Sequence, residues 1–180
     1  MKHFGLGLLL LTFSFPLFAQ EKEQRQKVNG GVIRSLYDKF QDKTFVTVTA
    51  ICDSSVPSIG FLDASAVYSG RKVSGPIEFI TLSIETTNRE WTFLKLHNWI
   101  ALVDNERLQL RSTHGGKVVR GGVEERVVTT IPYQTFQKFV NAQSLEFQVG
   151  AIEMRMNKKG RAALKDFLSL LEGQLAPNFR

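Results

Sequence analysis

Chemistry in this chain would have to come from a short inventory. The sequence holds 3 His and 1 Cys. His3 lies in the N-terminal stretch, which leaves His97, His114 and Cys52 in the body of the chain. A zinc site needs closely spaced thiolates and imidazoles to close a tetrahedron. No HxH, HExxH or CxxC spacing occurs, so neither a metal nor another cofactor is expected. Gly115-Gly116 and Gly121-Gly122 match neither a GxxxxGKS/T nor a GxGxxG phosphate loop. Nucleophilic catalysis needs a nucleophile, a base and an orienting group. Ser54 or Ser55, with Asp53 and His97 or His114, supplies the residue types but no GxSxG elbow. A small hydrolase built on these residues is the catalytic alternative. Glu124 and Glu125 are adjacent in a strand-like run, so they should face opposite ways and not pair for glycoside cleavage.

The least ordinary segment runs from Arg111 to Gly122, where two glycine pairs bracket a short basic stretch. As a mobile loop it would bring Arg111, Lys117 and Arg120 to an anionic group, such as a lipid phosphate or an acidic polymer of the cell envelope. As a hairpin arm it would carry the same charges solvated. The formal net charge of +6 suits an anionic partner and also serves plain solubility. Nucleic acid is disfavoured, because no aromatic residues interleave with the cations as a single-strand platform needs. Cys52 is alone, so no intramolecular disulfide forms. At the end of the run Phe45–Cys52 it reads as a small buried thiol.

Compartment is written at the start of the chain. Lys2 and His3 precede an apolar run from Phe4 to Phe15, Pro16 breaks it, and Ala19 offers a small residue before Gln20. These are the parts of a cleavable export signal over residues 1–19. The run is shorter than the roughly 20 residues that span a bilayer, and Gln20 is not a lipobox cysteine. The sequence therefore predicts an exported protein, periplasmic or secreted, with no transmembrane segment in its mature form.

Residues 20–30 are charged and nearly free of apolar groups, and read as a flexible leader. One domain follows over 31–174, with a short tail at 175–180. Val32, Ile33, Leu36, Tyr37 and Phe40 recur at helical spacing and predict a short N-terminal helix. Strand patterns then dominate. Val46, Val48 and Ala50 alternate with Thr47 and Thr49; residues 61–68, 77–86 and 91–96 read as further strands. Two hairpins are specified closely. Asp104-Asn105 tolerates positive φ and sets Ala101 opposite Leu108 and Trp99 opposite Leu110. Gly150-Ala151 fits a type II′ turn pairing Val149 with Ile152, Phe147 with Met154 and Leu145 with Met156. A one-residue slip would bury Glu146, Gln148, Glu153 and Arg155 instead. A helix opened by Pro132 precedes this hairpin. Another, starting near Asn157 and stopped at Gly173, follows it with the stripe Ala163, Leu164, Phe167, Leu168 and Leu171.

The run Ile100–Leu108, with Asp104-Asn105 at its turn, resembles the valine-aspartate-glycine-glutamate-arginine hairpin of a group of exported bacterial α+β proteins that carry no assigned activity. Ile131–Phe136 and Asn141–Gly150 resemble the matching helix–hairpin unit, and Tyr68-Ser69-Gly70 with Pro76 fits the same spacing. The likeness spans about residues 36–172. Asn105 stands where that pattern has glycine. The resemblance implies an exported bacterial α+β domain and carries over no site residue. The residues themselves predict an α+β domain: a largely antiparallel sheet of about seven or more strands, packed on two C-terminal helices. Its function is expected to be non-catalytic binding in the cell envelope.

Overall fold

A computed structural model describes residues 23–56, 58–72 and 75–174. The expected signal, its cleavage point after Ala19 and the C-terminal tail lie outside the described residues. In chain order the elements are β1 (Gln24–Val28), β2 (Gly31–Asp38), β3 (Lys43–Ser54), β4 (Phe61–Ser69), β5 (Phe79–Asn88), β6 (Trp99–Val103), β7 (Glu106–Leu110), β8 (Ser112–Val119), β9 (Gly122–Pro132), α1 (Tyr133–Asn141), β10 (Leu145–Val149), β11 (Ile152–Met156) and α2 (Lys158–Leu171). The expected α+β class and antiparallel sheet are found, with 11 strands in place of about seven.

The main path of the sheet is β7-β6-β10-β11-β3-β4-β5-β9-β8, and β1 and β2 add to the free flank of β3. Its two outermost strands, β7 and β8, are consecutive in the chain and separated by Arg111 alone. Two strands joined by one residue end within a few ångströms of each other, so the sheet curls until its edges meet at that residue. The curled inner face carries the apolar half of each strand's alternation: Val46, Val48, Ala50, Leu62, Ala64, Ile80, Leu82, Ile84, Val127 and Ile131 are all buried. Helix α2 packs on β1, β2, β3 and β11, and α1 on β5 and β9. Phe136 of α1 meets Phe167 of α2 edge to face, with ring centroids 6.0 Å apart.

The C-terminal half follows its sequence pattern closely. Asp104 and Asn105 both take positive φ, and Ala101 pairs with Leu108 and Trp99 with Leu110. Gly150 has φ +61°, Val149 faces Ile152 and Phe147 faces Met154. Arg155 and Glu146 form an ion pair at 2.7 Å on the other face. The Asn157 side chain accepts from the Gly160 N–H at 2.9 Å and caps α2. A side chain at position 160 would run into the Ile51 carbonyl, so glycine lets α2 lie close against β3.

Three expectations need correction. The N-terminal helix is absent: residues 31–38 form β2, paired with β3 along its whole length. Pairing overrides the helical spacing, with Ile33 and Ser35 turned inward and Arg34 outward. Gln24–Val28, expected to belong to a flexible leader, is instead β1, paired with β2; backbone hydrogen bonds order a stretch whose side chains bury little. Residues 91–96 form no strand.

Candidate functional site

The residue types proposed for a hydrolase separate into two places. Asp53 and Ser54 end β3, Ser55 follows it, and all three line a groove of about 650 Å³ on the sheet face away from the helices, together with Arg107, Glu146 and Arg155. Each side chain of the trio accepts one structural hydrogen bond. Ser54 Oγ accepts from the Val56 N–H, Ser55 Oγ from the Glu153 N–H, and Asp53 Oδ1 from the Asn157 side chain. The groove sets three carboxylates (Asp53, Glu146 and Glu153) against two guanidiniums, those of Arg107 and Arg155. That leaves one carboxylate in excess, which does not favour an anion.

The two histidines lie elsewhere, beside each other. His97, in the segment between β5 and β6, stacks on His114 of β8 with centroids 5.7 Å apart and planes 25° apart. Trp91 also meets His114, edge-on with centroids 6.0 Å apart. His114 Nε2 lies 3.0 Å from Glu125 Oε1. Neither imidazole bonds a Ser or Asp side chain among the described residues: the His114 ring is joined to Glu125, and His97 Nδ1 is buried with no partner. The Ser112 hydroxyl, on the same strand as His114, donates to the His97 carbonyl. A base held by a carboxylate is therefore present, while this hydroxyl is engaged by backbone.

Glu125 is the residue that organises this end of the molecule. Along β9, Val123, Glu125, Val127, Thr129 and Ile131 all point to the buried face, so alternation drives a carboxylate inward among apolar neighbours. Glu124 points the other way, as adjacency in a strand required, and pairs with Lys117 at 2.8 Å. A buried carboxylate must be satisfied by donors. Glu125 takes the N–H of Thr92 at 2.5 Å and of Phe93 at 2.9 Å, besides His114. The segment 91–96 forms no strand, and two of its backbone donors, Thr92 and Phe93, go to this side chain instead of a neighbouring strand. Burial pulls the Glu125 carboxyl upward, but the two N–H groups and the imidazole outweigh it and hold it below its ordinary range. Gly116 completes the arrangement, since a Cβ there would fall 2.5 Å from the Trp91 ring. Sequence reasoning missed Glu125, although the signal was present: it breaks an otherwise inward-facing alternation.

The basic segment 111–122 is chiefly strand. Ser112–Val119 is β8, paired with β9 through Ser112↔Thr129 to Val119↔Gly122, and Arg120-Gly121 forms the turn. The arrangement is thus the hairpin arm, not the loop. Arg111, Lys117 and Arg120 are all exposed. Arg111 and Lys117 have the same parity along this extended stretch, six residues or about 20 Å apart. The Glu124 contact holds the Lys117 ammonium protonated above its ordinary range, and partly neutralises its charge.

Cys52 is buried, with Sγ 3.1 Å from Met156 Sδ. Burial first, and the Asp53 charge next, push its thiol up to about 12. It is therefore neutral and unreactive near pH 7. No group of three or more His, Cys, Asp or Glu able to hold a metal is found among the described residues, and no described helix is long and apolar enough to cross a membrane.

No family model matches the chain, and neither a curated protein nor a solved structure matches it.

Proposed function

We propose that this protein is an exported binding domain that engages an anionic component of the bacterial cell envelope through the β8–β9 arm, and that it is not a catalyst. The observation that carries the reading is the contrast between two sets of side chains. The groups a hydrolase would use are divided between two sites, with Asp53, Ser54, Ser55 and His114 tied into structural hydrogen bonds and His97 Nδ1 buried without a partner, while Arg111 and Arg120 stand exposed at the sheet edge. The formal net charge of +6, which becomes +5 when Lys2 leaves with the signal, supports attraction to anionic surfaces. Export rests on the sequence of residues 1–19 and agrees with the resemblance to exported α+β proteins.

Two measurements test the reading. N-terminal sequencing of protein recovered from a fractionated bacterial host should begin at Gln20; intact Met1 in the cytoplasm would overturn export. Co-sedimentation with vesicles containing phosphatidylglycerol should show binding that weakens as salt rises from about 0.05 to 0.5 M, because the Debye length shrinks from well over to well under 10 Å. Equal binding to zwitterionic vesicles at every salt concentration would remove the electrostatic component.

A further inference from the structure

We propose that the 89–98 segment is a preformed wedge that enters the headgroup region of an anionic lipid leaflet, with Trp91, Leu94 and Leu96 as its apolar teeth. This rests on the binding reading above and names its partner as a bilayer surface.

The segment leaves β5 at Asn88, crosses one end of the molecule outside regular structure, and enters β6 at Trp99. Its course is fixed at several points. Asn88 Nδ2 donates to Thr92 Oγ1 at 2.8 Å, Thr92 and Phe93 donate to Glu125, and the Asn98 carbonyl accepts from Gly150 at 2.9 Å. Phe93 is fully buried and acts as the anchor. The flanking side chains are held outward: Trp91 is 39% exposed, Leu94 52% and Leu96 59%. Gly116 lies under Trp91, Gly122 beside Asn88 and Arg89, and Gly150 beside Leu96. The segment therefore stretches from the β8–β9 hairpin to the β10–β11 turn. On β8, two residues beyond Gly116, Val118 is 76% exposed.

Such a surface is costly to leave in water and is built at the expense of a buried carboxylate, so its rigidity matters. A backbone already pinned at these points loses less entropy on insertion than a free loop would. A Trp with adjacent Leu residues suits the interface between acyl chains and headgroups. The rim is cationic. Arg89, Lys95 and Arg120 are exposed around the apolar groups, with Glu90 as the opposing charge within the segment. A second copy of the chain would bring the same cations together and is disfavoured. An occupant that is apolar within and anionic at its surface is what charge and apolarity jointly require, and a leaflet rich in anionic lipid has that layering.

The chain's 2 Trp residues make the test direct. Trp99 is fully buried and Trp91 is not, and residues 1–22 contain no Trp. Protein recovered from an exporting host is mixed with phosphatidylglycerol vesicles carrying brominated acyl chains. The expected result is a blue shift and quenching of the parent, and neither in Trp91→Phe. The double variant Leu94→Ser/Leu96→Ser should lose about tenfold or more in vesicle affinity. Its circular dichroism and urea midpoint should be unchanged, because both side chains are already exposed. Salt-sensitive vesicle binding without Trp91 quenching would overturn insertion and leave the electrostatic reading standing. Binding to soluble polyglutamate but not to vesicles would do the same. Failure to bind either probe would overturn both. Concentration-dependent self-association abolished by the Leu→Ser pair would assign the patch to a second copy and overturn the leaflet as occupant.

Discussion

The helix–hairpin–helix region and the β8–β9 end of the molecule solve the same problem in different ways. In the first, α1, β10, β11 and α2 satisfy their backbones within the helices and by strand pairing, β10 with β6 and β11 with β3, and present apolar side chains to the core: Phe136, Phe139, Leu145, Phe147, Val149, Ile152, Met154, Leu164, Phe167 and Leu168 are all buried in one cluster. In the second, a carboxylate is driven inside by strand alternation, and the 89–98 segment wraps around it to supply donors. One region is held by area removed from water, the other by a few directed bonds. Regions of the first kind are tolerant of pH and salt; regions of the second kind respond to both.

The comparison can be broken where the apolar side carries most. Phe167 is fully buried between α1 and the sheet. Phe167→Ala should cost about 3–5 kcal/mol in urea unfolding, through lost transfer free energy and the cavity left behind. A loss under about 1 kcal/mol would mean that α2 does not dock as described.

Removing the carboxylate from the polar side should cost less but act more locally. Glu125→Ala leaves the Thr92 and Phe93 N–H groups and the His114 ring without their acceptor. The expected loss is on the order of 2–3 kcal/mol, with hydrogen-exchange protection falling first at residues 92 and 93. Uniform loss of protection across the sheet would show that Glu125 supports the whole fold and not this segment.

Acid sharpens the contrast. The Glu125 carboxyl titrates below its ordinary range in the folded protein. Its contribution is therefore full above the ordinary carboxyl pKa and is lost as pH falls through the depressed folded value. The parent should lose stability more steeply than Glu125→Gln on acidification, and the two curves should run parallel near neutrality. Phe167→Ala should shift the parent curve without changing its acid slope.

The smallest structural effect expected is at the α2 cap. Asn157→Ala should cost about 1 kcal/mol, as the Gly160 N–H loses its acceptor. An effect below about 0.3 kcal/mol would show that packing, not capping, sets the start of α2.

The two regions also differ in how far residues alone reveal them. The hairpins were legible because Asp104-Asn105 and Gly150-Ala151 fix turn geometry, and the alternation beside each turn admits one register. The caps of α2 were legible for the same local reason. Residues 91–96 were not, because Trp-Thr-Phe-Leu reads as a strand until the acceptor 32 residues away in β9 is known. Residues 31–38 misled for the opposite reason: β-pairing with β3 overrode an apolar spacing that suited a helix. Of the candidate site, the cations were visible in the sequence. Their setting on an edge strand, and the tie from Lys117 to Glu124, depend on the register of β8 against β9.

The central claim is that the exposed end binds and the packed end stabilises, so the two properties should separate in a single variant. Arg111→Gln, Lys117→Gln and Arg120→Gln combined, measured for urea stability and for phosphatidylglycerol-vesicle affinity at low salt, tests it most directly. The account predicts an affinity loss of about tenfold or more, from the attraction of each cation to an anionic surface, with stability within about 0.5 kcal/mol of the parent. Unchanged affinity across the salt series, or a loss of affinity that merely follows unfolding, would contradict it.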